Sequence, residues 1–251
     1  MTRNHPVLPF VATLLGIGFF SAMDAAMKAA ALAAGVYSAL MLPVWLAAGR
    51  PFARGAGRIV HLQRAAVVSA MAALFFYGIV RLPLAEAIAL SFIAPLIALY
   101  FAALVLGEVI RPRAVLASAL GLAGTAVIVA GRLGSGTMDG EAQRGLAAIL
   151  VSAVLYALNL VLQRKQAQLT GPVEIAFVQS LLIGTILLAF APWLFVLPGG
   201  PALAIIALAS ALASAALLLL AWGYARAEAQ ALVPIEYTGF LWAAALGWLV
   251  F

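Results

Sequence analysis

Ala65–Arg81 reads AAVVSAMAALFFYGIVR, and Ser210–Arg226 reads SALASAALLLLAWGYAR. Aligned without gaps at an offset of 223 − 78 = 145, six of the seventeen positions are identical: Ala66/Ala211, Ser69/Ser214, Ala70/Ala215, Leu74/Leu219, Gly78/Gly223 and Arg81/Arg226. Alanine pairs arise easily between apolar helices. Serine, glycine and arginine held in one register do not. The same relation puts Pro95 and Pro234 early in the apolar runs that follow. A further echo, at an offset of 159 − 24 = 135, aligns Ser21-Ala22-Met23-Asp24 with Tyr156-Ala157-Leu158-Asn159 and leaves a polar residue mid-helix in both. The chain reads as one unit written twice.

Composition says what surrounds that unit. The 251 residues are 67% hydrophobic and 9% charged, and mean hydropathy is +1.16. A soluble domain carries roughly 45–50% apolar and about 25% charged residues, so neither a water-soluble globule nor a disordered chain fits. With no cysteine and only His5 and His61, a disulfide scaffold, a thiolate metal site and a histidine metal cluster are not expected. The reading is an all-α polytopic membrane protein, with no metal and no cofactor.

A crossing needs about 20 mainly apolar residues. Segmenting at proline, glycine and charge gives nine runs: Leu8–Leu32, Val36–Ala48, Ala65–Val80, Leu84–Leu106, Ala114–Ala130, Gly145–Leu162, Val173–Val196, Pro201–Tyr224 and Ala229–Phe251. Leu8–Leu32 is too long an apolar core for a cleavable signal peptide and reads as a retained span. With the N-terminus cytoplasmic, inside positions hold Arg3, Arg50, Arg54, Arg58, Arg64, Arg111, Arg113, Arg164, Lys165 and Arg226, against Arg81, Arg132 and Arg144 outside. Ten against three selects that orientation. The net charge of +6 is therefore a matter of topology and gives no support to a nucleic-acid partner. The Arg50–Arg64 stretch reads as a cytoplasmic loop.

The third and eighth runs correspond, so the repeat is five helices long. Five is odd, and the second copy must enter the membrane from the opposite face. Inverted repeats with a site near the midplane are characteristic of secondary transporters. The repeats are expected at 1–132 and 145–251, joined by a linker at 133–144.

The residue pattern also resembles a known group. Ser91-Phe92-Ile93-Ala94-Pro95 followed by Leu106-Gly107-Glu108 is similar to the fourth-helix pattern of EamA-type proteins of the drug/metabolite transporter superfamily. Phe20–Lys28 (FSAMDAAMK) resembles the first-helix pattern ending in lysine, and Val233–Thr238 (VPIEYT) followed by Leu246–Phe251 (LGWLVF) resembles the ninth-helix counterpart. The resemblance implies ten helices in two inverted five-helix halves around a central cavity, and movement of small metabolites, often amino-acid export. In the family pattern a Gly-Glu pair and a tenth helix follow the position of Phe251. The expectation is that the sequence stops short of that helix.

Charged groups inside the membrane are costly and usually face a bundle interior or a wet cavity. Asp24 and Lys28, four apart, share a helix face; Lys28 would contact a substrate carboxylate while Asp24 holds it or binds a proton, or the two form a structural ion pair. Glu236 beside Tyr237 follows Pro234, whose kink frees a carbonyl, and is the leading candidate for lining the cavity and contacting substrate, with a structural hydrogen bond to a neighbouring helix as the plainer role. Pro95 with Ser91 forms the matching kink in the first half, where Ser91 would contact substrate or the kink is purely structural. Asn159 and Gln163 are the counterparts of Asp24 and Lys28, with interhelical hydrogen bonding as the plainer role. Tyr77, Tyr156, Trp222, Tyr224 and Trp242 could offer aromatic walls. Glu108 reads as an interfacial carboxylate near Arg111 and Arg113, and Ala117, Gly121 and Thr125 as a stripe for close helix packing.

No G-x-x-x-x-G-K-[ST] loop is present to support ATP-driven pumping, and no span carries histidine to serve a hydrolase. The expected function is secondary transport of small polar or amphipathic metabolites (amino acids or related compounds, efflux before uptake) across a bacterial-type plasma membrane by alternating access. Uptake of a cofactor-like metabolite and a non-transporting membrane scaffold are the competing readings. Expected partners are the solute, the bilayer and a coupled proton; monomer and homodimer stay open, and no enzymatic activity is expected.

Overall fold

The computed structural model describes residues 30–49, 53–82, 84–130, 139–189 and 200–239. Among them every regular element is helical. In chain order these are α1 (Ala30–Ala47), α2 (Ala56–Ile79), α3 (Leu84–Ser91), α4 (Ala94–Phe101) running into a π-helical turn (Ala102–Leu106), α5 (Pro112–Ala130), α6 (Gly140–Leu169), α7 (Pro172–Ala189), α8 (Gly200–Arg226) and α9 (Ala229–Leu232) running into a 3-10 turn (Val233–Tyr237).

Local chemistry sets these boundaries. Asp139 opens α6, its Oδ1 accepting the Ala142 N–H at 2.8 Å, and Glu141 adds a negative charge in the first turn. Pro172 and Pro112 occupy first helical positions, where a missing N–H costs nothing. The π turn ends at Gly107, at φ +69°, a left-handed conformation that glycine adopts without a Cβ penalty.

Among the described residues two helices are long and apolar enough to cross a bilayer, Ala56–Ile79 and Gly140–Leu169; shorter apolar helical stretches cover Ser38–Ala47, Ala94–Leu106, Pro172–Leu187 and Ser210–Arg226. The outer side of α5 carries Leu116, Leu120 and Val127 at 60%, 64% and 76% exposure. Such a surface suits lipid and not water.

The described chain divides into two compact units. Of the described residues, the first comprises those up to 66, 163–227 and 238–239; the second comprises those within 67–162 and 228–237. In the first, α1, α7 and α8 pack together around Met41, Ala176, Phe177, Val178 and Ala213, with the Trp45 ring stacked on Phe177 at 4.9 Å. In the second, α5 packs on α3, α4 and the 3-10 turn. Gly78 and Gly145 let α2 and α6 approach closely there: a Cβ at Gly78 would fall 2.5 Å from the Ile149 side chain and 3.0 Å from the Gly145 carbonyl.

The kink expected at Ser91 and Pro95 is a break in the run Leu84–Leu106 at Phe92 and Ile93. Two sequence expectations change. The Arg50–Arg64 stretch is not a loop throughout, because α2 starts at Ala56 and carries His61 and Arg64 into the interior, 2% and 3% exposed. Helix α6 outruns Gly145–Leu162 at both ends. The run Leu8–Leu32 lies outside the described residues but for its last turn, as does Ala229–Phe251 beyond Gly239.

The local geometry of the quoted pair recurs. The Arg81 guanidinium sits 3.5 Å over the Tyr77 ring and donates to the Tyr77 carbonyl; the Arg226 guanidinium sits 4.0 Å over the Trp222 ring and donates to the Trp222 carbonyl. These are matching positions at the offset of 145.

Candidate functional site

The second unit gathers the polar and aromatic residues that the prolines mark. The 3-10 turn Val233–Tyr237 contains Pro234, so the backbone between α9 and Thr238 is wound more tightly than an α-helix. Short 3-10 stretches within helical runs often mark functional hinges. Two consecutive side chains leave this turn for different partners. Glu236 Oε2 accepts a hydrogen bond from the Tyr156 hydroxyl of α6 at 2.6 Å. Tyr237 donates its hydroxyl to the Phe92 carbonyl at 2.9 Å, and its ring stacks on Phe92 with centroids 5.5 Å apart.

Phe92 lies in the break between α3 and α4. Pro95 has no N–H and cannot serve the carbonyl four residues back, so the helix cannot run through regularly. Ser91 turns its hydroxyl to the Ala87 carbonyl at 2.9 Å, within its own helix. Pro95 is fully buried. One break thus receives the hydroxyl of a tyrosine that neighbours the other proline. Tyr237 itself lies over Gly121 of α5.

Asn159 stands on α6 three residues after Tyr156, hence on a neighbouring face, and is buried. Tyr156 and Glu236 are both part-exposed. The group therefore offers one oriented carboxyl, one phenol and one amide. Such a set can hold an ammonium group by charge and hydrogen bonding, or exchange a proton at the carboxyl.

The other expected positions fall elsewhere. Gln163 belongs to the first unit, where its Oε1 accepts from Arg64 at 2.7 Å. Tyr77 is exposed beneath Arg81, and Trp222 is half-buried beneath Arg226. Tyr224 is fully buried, its carbonyl accepting from Arg164. Asp24, Lys28 and Trp242 lie outside the described residues. Glu108 serves α9: its two oxygens accept the backbone N–H groups of Ala229 and Gln230 at 3.0 and 3.2 Å, while Arg111 lies 3.8 Å from Glu228. Among the described residues no three His, Asp or Glu side chains gather to hold a metal ion.

The strongest interior polar cluster among the described residues was anticipated from the sequence only through Gln163, as an interhelical hydrogen-bonding residue. It joins His61 and Arg64 of α2, Gln163 and Gln166 of α6, and Glu174 and Gln179 of α7, all in the first unit. A signal existed in Gln163 and Gln166, spaced one turn apart, but nothing in the sequence set them opposite α2.

Comparison with known proteins agrees with this architecture. A solved structure described only as a crystal structure of a protein superposes with a TM-score of 0.79 at 24% identity, covering 95% of this chain and 88% of its own. That likeness speaks to the fold. No curated protein matches. Residues 8–130 match the EamA-like transporter family. Its members are multi-pass membrane transporters and generally not enzymes. Through residues 8–130, the chain belongs to the EamA-like transporter family, one of the families of the drug/metabolite transporter superfamily.

Proposed function

We propose that the protein is a secondary transporter of small polar or amphipathic metabolites, amino acids or related amines first, exporting them across the plasma membrane by alternating access. The observation that carries this is the Tyr156–Glu236 hydrogen bond beside the Pro234 turn. An oriented carboxyl within an apolar chain is expensive to place and suits a solute's ammonium group. In this reading Lys28 takes the solute's carboxylate, Asp24 holds Lys28, and Asp24 or Glu236 carries a coupled proton. Two inverted five-helix repeats, 1–132 and 145–251, supply the two access states, and the cytoplasmic N-terminus follows from the arginine distribution.

The test is solute flux in vesicles reconstituted with the complete protein, with and without a pH gradient. Glu236→Gln and Lys28→Ala are each expected to lower flux of an amino-acid or amine solute at least about tenfold, the loss of one charge-assisted contact. Wild-type flux of every carried solute by both variants overturns the site assignment. Absence of flux for any amine or amino acid overturns the substrate class.

A further inference from the structure

We infer that the buried cluster around His61 is a proton-sensitive latch, in which protonation of His61 unfastens the joint between the first turns of α2, the last turns of α6 and the start of α7. The inference concerns the first unit and does not depend on which solute is carried.

The hydrogen-bond directions leave little freedom. Arg64 donates from Nη1 to Gln166 Oε1 at 2.6 Å and from Nη2 to Gln163 Oε1 at 2.7 Å. A guanidinium can only donate, so the Gln166 amide is held with its oxygen toward Arg64 and its nitrogen away. That nitrogen stands 2.5 Å from His61 Nδ1 and 3.2 Å from Gln179 Oε1. An amide nitrogen also only donates. His61 Nδ1 must therefore accept, which assigns the neutral imidazole with its hydrogen on Nε2. Nε2 lies 3.4 Å from Glu174 Oε1, the same oxygen that accepts the Ala53 N–H at 2.7 Å.

A proton added at Nδ1 sets an N–H against an NH₂ across the 2.5 Å contact. Turning the Gln166 amide over does not relieve this, because it presents NH₂ to Arg64 and withdraws the donor from Gln179. Among the described residues the charged groups facing His61 are Glu174 on α7 and Arg64 on its own helix, of opposite sign; α6 presents the neutral Gln166. Protonation of His61 adds a second positive charge near Arg64, away from water, which is costly. Gln166 and Gln179 are 0% and 1% exposed, so little solvent is at hand to relieve the clash.

The test uses the absence of cysteine from the 251 residues. Ser180, buried on α7 next to Gln179 and bonded to its own helix, is replaced by Cys as the sole thiol. Its maleimide labelling rate in the reconstituted complete protein is divided by that of the denatured protein at the same pH, which cancels thiol ionisation. Between about pH 8 and about pH 5 the ratio is expected to rise roughly tenfold. It should stay flat in His61→Asn, whose Oδ1 accepts from Gln166 without titrating. It should also stay flat in Gln166→Glu, whose carboxylate accepts from Arg64 and from protonated Nδ1 alike. A flat ratio in the parent, or an equal rise in either variant, overturns the latch. Should both variants fail to fold, ¹⁵N spectra of His61 in a His5→Gln background decide: the Nε2–H tautomer at about pH 8 is required, and an Nδ1–H tautomer overturns it.

Discussion

The Tyr237 ring lies over Gly121 so closely that a Cβ on that glycine would stand 2.3 Å from Tyr237 Cδ2. The ring occupies the place of the missing side chain on α5 while its other contacts, the stack on Phe92 and the bond to the Phe92 carbonyl, reach the break before Pro95. Gly121→Ala must displace a ring held at both ends, an overpacking cost of about 1–3 kcal/mol. Gly124, on the same helix, has nothing within 4 Å of the point where a Cβ would stand and serves as the internal control. There alanine should gain about 0.5–1 kcal/mol in helix propensity. Thermal unfolding in one detergent should rank Gly124→Ala above wild type and wild type above Gly121→Ala. Equal melting of the two variants removes the ring from that surface.

Glu108 closes the N-terminus of α9 with both carboxyl oxygens, and Gln230 returns a bond from its side-chain oxygen to the Arg111 N–H at 2.8 Å. The first turn of a helix leaves N–H groups without intrahelical partners and carries a partial positive charge, so an acceptor there both caps and neutralises. Glu108→Ala should cost about 1–2 kcal/mol and Glu108→Gln roughly half of that, since the amide keeps one acceptor without the charge. Hydrogen exchange read at Ala229 and Gln230 should lose protection in the same order. Unchanged exchange at both amides in Glu108→Ala would show that the carboxylate is not their partner.

Arg64 is the buried member of an arginine series whose neighbours Arg54 and Arg58 are exposed. Its planar fork reaches two glutamine oxygens on α6 at once, which a lysine ammonium on a flexible stem cannot reproduce with the same geometry. Arg64→Lys should destabilise by about 1–3 kcal/mol and Arg64→Ala by about 3–5 kcal/mol, because the carbonyl oxygens of Gln163 and Gln166 are left buried without that donor. Arg58→Ala should fall within about 0.5 kcal/mol of wild type. Denaturation midpoints of the three variants measure this, and an Arg64→Ala no weaker than Arg58→Ala would mean the cluster contributes nothing to stability.

These cases show what the chain discloses in one dimension. Helix content, the places where helices fail and the recurrence at 145 are local or nearly so. Arg81 over Tyr77 and Arg226 over Trp222 repeat because each pair is four residues apart on one helix, and similar local sequence makes similar local geometry. Pro95 and Pro234 act on their own turns. Glu236 could be singled out by proline chemistry alone. Its partner Tyr156 could not, since 80 residues separate them and an aromatic in an apolar helix usually just packs. His61 and Arg64 were hidden by a different competition. Charge density in Arg50–Arg64 favours solvent, but α2 takes up its second half from Ala56 and α6 offers amides 99 and 102 residues away, and tertiary satisfaction outweighs the local preference. Gln163 takes the plainer of its two expected roles: its oxygen accepts an interhelical hydrogen bond from Arg64, a partner that the face shared with Asn159 does not reveal.

The Tyr156–Glu236 pair can be weighed apart from its role in transport. Tyr156→Phe removes the hydroxyl and keeps the ring; Glu236→Gln keeps an acceptor and removes the charge. If the phenol only orients the carboxyl, its loss leaves the charge available to a solute in a broader set of positions. Tyr156→Phe should then weaken solute binding by about 1 kcal/mol, near the net worth of one hydrogen bond. Glu236→Gln should cost more, about 2–3 kcal/mol, because a charge-assisted contact to the solute goes with it. In the double variant the effects should fall short of their sum by about 1 kcal/mol, since the phenol has nothing charged left to orient. Binding of a radiolabelled amine to the detergent-solubilised complete protein supplies all four corners of the cycle. Strict additivity would place the two residues in separate roles and detach the tyrosine from the site.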